Sequence, residues 1–399
     1  MTGPLEGIRI IDLTMMVSGP LATMMLADQG AEVIKIENPA GGDFTRSAAN
    51  RQGDVSASFL NNNRNKKSVA LNLKEPAGRD ALLRLVSTAD VFVQNFRPGV
   101  IERMGLGEDE LRKVAPDLIM VSISGFGDTG PYAQRPVYDP LIQGLSGLAS
   151  VQAGADGRRP QLVRTILPDK LTGVTAAQAI TAALFARERT GESQHVRLSM
   201  LDAVIAFLWS SDMGSQTFVQ ADLPQQEAAS FQDLIYETTT GYITIAVQND
   251  REWQALIRAV ERPEWADDPR FLTAELRQRH IDARLELIQA VVRTDSAEHW
   301  LARLSEESVP CAPVLTRTEV LEHPQVQANE LLVCYDHPQA GRIRQTRAPA
   351  RFSTVTGQAW HGAPAIGQHT VALLQDCGYS SGEIEAMVSA GAAVTSEPG

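Results

Sequence analysis

Apolar and polar positions in the first two hundred residues fall into short alternating blocks. Residues 8–13 form an apolar, β-branched run and read as a buried parallel strand. Ser18-Gly19-Pro20 then interrupts the run. Pro20 suits the first turn of a helix reaching Ala27, and Gly30 closes that helix. Residues 33–36 make a second strand. A polar loop rich in Asn and Gly leads to a strand at 68–73, a helix at 78–87 and strands at 91–94 and 118–123. This rhythm predicts an α/β fold with a doubly wound, Rossmann-like parallel sheet. Residues 170–187 form a long Ala-rich helix, and 196–199 return to strand.

Around residue 215 the texture changes. Residues 234–247 read as a hairpin turning near Gly241, and helical patterns run from 250 to 304. Strands are expected near 331–335 and 343–345. The end is helical, where Ser380 and Glu383 have the spacing of a capping box.

Composition narrows the function. With 399 residues there is enough chain for two or more domains, and 43% hydrophobic with 21% charged residues is ordinary for a globular protein. A formal net charge of -12 leaves no basic stripe for nucleic acid. Cys311, Cys334 and Cys377 lie far apart, which argues against zinc and a disulfide framework and fits a reducing cytoplasm. Neither a signal peptide nor a membrane span is expected.

Strand, turn, helix and strand ending at Glu37 resemble a dinucleotide fold, but the turn Met16-Val17-Ser18-Gly19-Pro20 lacks the glycines that close pyrophosphate approach requires. Glu37 is therefore read as the end of a surface strand. Asp169 follows Pro168 at the start of the long helix; alone, it reads as an N-cap. Tyr138-Asp139 alone reads as a turn with a core tyrosine.

Several ordered blocks resemble family III CoA-transferases, the formyl-CoA transferase and carnitine CoA-transferase type. They are the opening PLEGIRIIDLTMMVSGPLATMMLADQGAEVIKIENPAGGD; Asn63-Arg64-Asn65-Lys66-Lys67-Ser68 with Leu71-Asn72-Leu73-Lys74; and Asn95-Phe96-Arg97-Pro98-Gly99 with Arg103-Met104-Gly105-Leu106-Gly107. A fourth runs from Thr190-Gly191 to Ser199-Met200-Leu201-Asp202-Ala203, and the C-terminal part agrees at Val309-Pro310, His323-Pro324 and His337-Pro338. The resemblance covers nearly the whole chain.

That resemblance implies an interlocked homodimer. Residues 1–215 would form the N-terminal part of a large domain, 216–328 a smaller inserted α+β domain with little core of its own, and 329–399 a return to the large domain. The implied activity moves CoA from an acyl-CoA donor to a small carboxylic acid through a covalent acyl–aspartate. Asp169 would be the nucleophile, Tyr138 would line the acyl pocket and Asp139 would position the reacting carboxylate. CoA would enter as substrate; no metal or tightly bound cofactor is required. The resemblance places Met16, Val17, Leu71, Lys74, Asn95, Phe96, Arg103, Met104 and Met200 in the CoA groove. Lys74 and Arg103 would meet phosphates or lie beside the adenine; taken alone, such residues read as surface charge and core packing. Some relatives carry a basic residue where this chain has Asn38.

The rival within the fold is a 2-methylacyl-CoA racemase. It needs a histidine partner for the aspartate, which would align with Tyr138. Formyl-CoA:oxalate enzymes carry a glycine-run loop, whereas no glycine lies between Gly214 and Gly241 here, which points to a different acid.

Overall fold

The computed structural model describes residues 3–48, 50–53, 55–154, 157–219, 234–353, 355 and 360–396. The chain divides into two compact units, Met1–Gln226 with Leu331–Gly399, and Glu227–Glu330.

The first unit is built on a seven-stranded sheet. Its strands are β1 (Arg9–Leu13), β2 (Glu32–Glu37), β3 (Lys66–Leu71), β4 (Val91–Gln94), β5 (Ile119–Ser124), β6 (His195–Ser199) and β7 (Ala393–Val394). The order is β7-β3-β2-β1-β4-β5-β6, parallel throughout except for antiparallel β7. Strand order reverses at β1, so the loops after β1 and β4 diverge and leave a crevice at the carboxyl ends of the strands. Four helices bear on the site: α1 (Ser18–Ala27), α2 (Asp139–Leu145), α3 (Leu167–Thr190) and α4 (Met200–Trp209).

Alternating strand positions serve two cores. Ile10, Val33, Val91, Val93, Ile119 and Val121 pack against Leu26 of α1 and Ala176, Ile180 and Leu184 of α3. Ile11, Ile34, Val69, Phe92 and Met120 pack on the opposite face, with Leu82, Leu85, Leu373, Leu374 and Ile384. Burial on both faces explains why these strands read as apolar runs. The final helix, Ser381–Ser389, has the expected capping box, with Ser380 and Glu383 bonding reciprocally.

The second unit has a three-stranded antiparallel sheet of Cys311–Pro313, Gly241–Ile245 and Ile235–Thr238. Its core corrects one expectation. Trp253, Trp265, Phe271, Ile288, Val292, Trp300 and Leu304 form a substantial buried cluster, and Trp253 stacks on Trp265 with ring centroids 6.1 Å apart. The helical stretch after Asp250 is several short helices, because Pro263 and the Asp267-Asp268-Pro269 turn interrupt it.

Candidate active site

Charged side chains in the sheet fix the loop after β1. Asp12, Lys35, Asp43 and Lys66 are each at most 3% exposed. Lys66 Nζ donates to Asp12 Oδ2, Pro20 O and Asn63 Oδ1, each at 2.9 Å, which uses all three of its protons. Lys35 Nζ donates to Thr14 O at 2.8 Å and lies 2.9 Å from Asp43 Oδ2. Asp12 accepts from the Thr14 amide and from the Thr14 and Thr23 hydroxyls at 3.0, 2.5 and 2.7 Å. Burial pulls the Lys66 ammonium down to about 8 despite Asp12 beside it. Burial would raise the Asp12 carboxyl, but Lys66 and Lys35 overcome it and hold Asp12 well below the usual carboxylate range. Such a network adds little net stability, yet removing one partner costs about 3–5 kcal/mol. What it contributes here is position.

That position is the strained turn into α1. Asn95 grips Met15 from both sides: its Oδ1 accepts from the Met15 amide at 2.9 Å and its Nδ2 donates to the Met15 carbonyl at 2.8 Å. Met16 has φ +72°, uncommon for a side chain with Cβ, and its amide donates to Asp43 Oδ1 at 3.3 Å. Glu37 belongs to the same support. It is 2% exposed, paired with Arg46 at 2.7 Å and bonded by Ser68 Oγ at 2.6 Å, so it is not the end of a surface strand.

Asp169 lies in the first turn of α3, whose N-cap is Ile166 with no side-chain cap bond. It is therefore not an N-cap: Pro168 is already helical, which moves the helix start upstream of the position read from Pro168-Asp169. Its carboxylate instead faces the backbone N–H of Ser18, the first residue of α1, which favours the ionised form. The two helices meet closely because Gly173, one turn along α3, has no side chain; a Cβ there would stand 2.8 Å from the Ser18 carbonyl oxygen.

Asp139, 4% exposed, opens α2, and its Oδ2 accepts from the Asp169 amide at 3.2 Å. Burial, reinforced by the Asp139 charge, pushes the Asp169 carboxyl up to about 6, against the Ser18 N–H, which favours the ionised form. Tyr138 is the N-cap residue of α2 and is 68% exposed, so it is not a core tyrosine.

A groove of about 320 Å³ lies at the strand-order reversal. Of the sequence candidates, Leu71, Lys74, Phe96 and Met104 line it, as does Asn38; Thr14, Met15, Ile36 and Leu73 complete much of the wall. Lys74 is exposed on its rim. Asn95 reaches the groove through Met15 rather than lining it. Arg103 is exposed on the short Val100–Arg103 helix, close to Gly99, and is not part of the groove wall. Val17 is buried in the turn before α1. Met200 is 6% exposed and packs with Ile142 and Val204 in a separate apolar cluster between α2 and α4.

The family model of CoA-transferase family III matches residues 5–370. The chain belongs to this family. It is 34% identical over 400 residues to the succinyl-CoA:glutarate CoA-transferase of Mus musculus, covering 97% of this chain and 90% of the relative. It is also 34% identical over 414 residues to the formyl-CoA:oxalate CoA-transferase of Escherichia coli O6:H1, covering 97% and 99%. Among solved structures, a CAIB/BAIF family protein from Brucella suis superposes with a TM-score of 0.80 at 30% identity, covering 94% of this chain and 100% of that one.

The chain is accordingly a CoA-transferase enzyme, and the two relatives just named are both transferases. Equal identity to the glutarate and oxalate enzymes gives no preference between their acids. The glycine-poor stretch between Gly214 and Gly241 falls largely on residues 220–233, outside the described residues.

The sequence reading missed the ionic support of the β1 loop. Its signal was available: Asp12, Lys35 and Lys66 are charges inside strands whose neighbours are buried on both faces. Gln143 was missed as well; its only trace is a helical i+4 spacing from Asp139.

Proposed function

We propose that this enzyme moves CoA from an acyl-CoA to a small carboxylic acid through covalent intermediates on Asp169. The observation carrying the reading is the half-buried Asp169 carboxylate between the Ser18 amide and Asp139, on the residue that matches the family's nucleophile. A carboxylate with a raised pKa is more basic, hence a better nucleophile, and at about 6 it is still largely ionised at neutral pH.

Asp169 attacks the thioester carbonyl and CoA leaves as thiolate, giving a mixed anhydride. The thiolate then attacks the aspartyl carbonyl, releasing the donor acid and leaving an aspartyl-CoA thioester. The acceptor carboxylate attacks that thioester to form a second anhydride and free the thiolate again. Attack of the thiolate on the acceptor's carbonyl yields the new acyl-CoA and restores Asp169. In the second and third steps the attacked carbonyl is that of Asp169 itself, and the Ser18 N–H faces the group on which negative charge then develops. Tyr138 borders the acyl group, and Asp139 orients the reacting carboxylate. The groove holds CoA between half-reactions, with Lys74 on its rim toward the phosphates and Phe96 offering an apolar face; Arg103, outside the wall, would meet only a part of CoA that extends beyond the groove. Succinyl, formyl or acetyl donors with dicarboxylic acceptors are the substrate class suggested by the relatives.

An interlocked homodimer belongs to the same reading. It is supported by the large apolar side chains that one chain leaves exposed on α3 and α4: Val174 at 48%, Phe185 at 62%, Phe207 at 50% and Trp209 at 47%.

The test is interception. Enzyme incubated with acyl-CoA and hydroxylamine should carry a hydroxamate at position 169, found by peptide mass spectrometry. Turnover without any adduct at Asp169, together with an active Asp169→Asn variant, would overturn the covalent mechanism.

A further inference from the structure

Gln143 is 2% exposed on the inner face of α2, one turn after Asp139. Each polar atom of its amide is engaged. Nε2 donates to Asp139 Oδ1 at 2.6 Å and stands 3.3 and 3.4 Å from the Thr165 and Val163 carbonyls. Oε1 accepts from the Val163 amide at 2.8 Å. The pattern fixes which end of the amide is which: only NH2 can serve Asp139 and only the carbonyl can serve the Val163 N–H.

The segment it grips is also tied by the Gln161 N–H to the Ala149 carbonyl at 3.0 Å and by Val163 packing in the Ile142–Val204 cluster. Residues 158–162 and 164–166 are exposed, have no helix or strand, and run directly into the first turn of α3. Asp139 makes a further tie, through the Asp169 amide. Gln143 therefore joins three things in one buried cluster: the Asp139 carboxylate, the incoming loop and, through them, the backbone that carries the nucleophile. It is not one of the residues lining the groove.

We propose that Gln143 is a positioning residue for the transfer reaction, holding Asp139 and the start of the nucleophile's helix in one register. The inference rests on the covalent reading above. It gives Gln143 a role that its burial alone would not: it sets where the Asp139 charge sits relative to Asp169 while leaving CoA binding alone. The charged neighbour acting on Asp169 is Asp139, and adjacent Lys170 is turned to Thr165 Oγ1 at 2.8 Å.

Two near-isosteric substitutions test it. Gln143→Glu keeps an acceptor for the Val163 amide but replaces the donor to Asp139 with another carboxylate oxygen. Gln143→Met keeps the volume and removes all of these bonds. For each, kcat, KM for acyl-CoA, the pH–rate profile and hydroxylamine trapping at Asp169 are measured beside the wild type. The expected result is a kcat at least thirtyfold lower in both, with KM for acyl-CoA within about threefold. The acidic limb of the Gln143→Glu profile should move to higher pH, because a further carboxylate nearby opposes ionisation of Asp169. A kcat within threefold of wild type in Gln143→Glu, with an unmoved acidic limb, would overturn the proposal. So would a fall in rate tracking lost folded protein in both variants with no change in the profile of what remains. Should Gln143→Met fail to fold, Gln143→Glu decides alone; should Gln143→Glu not fold either, the role is structural and the proposal fails. Wild-type trapping separates the two readings: an adduct in the wild type with unaltered variants removes only Gln143, whereas absence of any wild-type adduct removes the covalent mechanism beneath it.

Discussion

Replacing the nucleophile should make the folded protein more stable, with a pH dependence that reports why. The Asp169 carboxyl titrates at 3.8 in an open chain and at about 6 in the fold, because burial and Asp139 both oppose its charge. Below pH 4 it is protonated in both states and carries no penalty. Between pH 4 and 6 the unfolded chain releases the proton while the folded chain retains it, so wild-type stability falls as pH rises. Above pH 6 the penalty is constant. Raising the carboxyl from 3.8 to about 6 corresponds to about 3 kcal/mol, and solvent reaching this half-buried group lowers the expected value to about 1–3 kcal/mol. Asp169→Asn removes the charge while keeping an oxygen that accepts from the Ser18 amide. It should therefore match wild type at pH 4 and exceed it by that amount at pH 7. Urea unfolding of both proteins at equal concentration, from pH 4 to 8, measures the difference. A variant less stable than wild type at pH 7, or a difference that does not change between pH 4 and 6, would refute the assignment of a strained carboxylate. The same substitution should abolish transfer, the usual opposition of stability and activity at a catalytic group.

Two further outcomes follow from the geometry and the family reading. Gly173→Ala should gain helix propensity but press a methyl group against the Ser18 carbonyl, for a net loss of about 1–3 kcal/mol and a markedly lower kcat; thermal melts and steady-state kinetics check this, and an unchanged kcat would show that the α1–α3 approach is not needed. Light scattering on dilution should show dimer throughout, and a folded monomer at micromolar concentration would contradict interlocking.

Local chemistry made the elements legible. The apolar runs at β1, β2, β4 and β5, the proline in the first turn of α1 and the Ser380–Glu383 capping box each act through neighbours a few residues away, so they can be read in one dimension. The βαβ rhythm likewise implied a parallel sheet, and the ordered family blocks pointed to Asp169. Boundaries drifted where a charge was buried: the third strand starts at Lys66 rather than 68 because Lys66 is neutralised by Asp12, far away in the chain. The two-residue strand β7 is too short to show a period.

What only the tertiary structure decided is the company each polar group keeps. Asp12, Lys35, Asp43 and Lys66 sit on separate segments, and nothing local states that they share one dry cluster under the Met16 turn. Asp169 read as a cap because its sequence neighbours allow it. Its raised pKa comes from burial and from Asp139, thirty residues away, opposed by the N–H of Ser18 at the start of another helix. Burial and Coulomb interaction depend on distance in space, and a chain that brings residues 18, 139, 143 and 169 together records that distance only after it has folded.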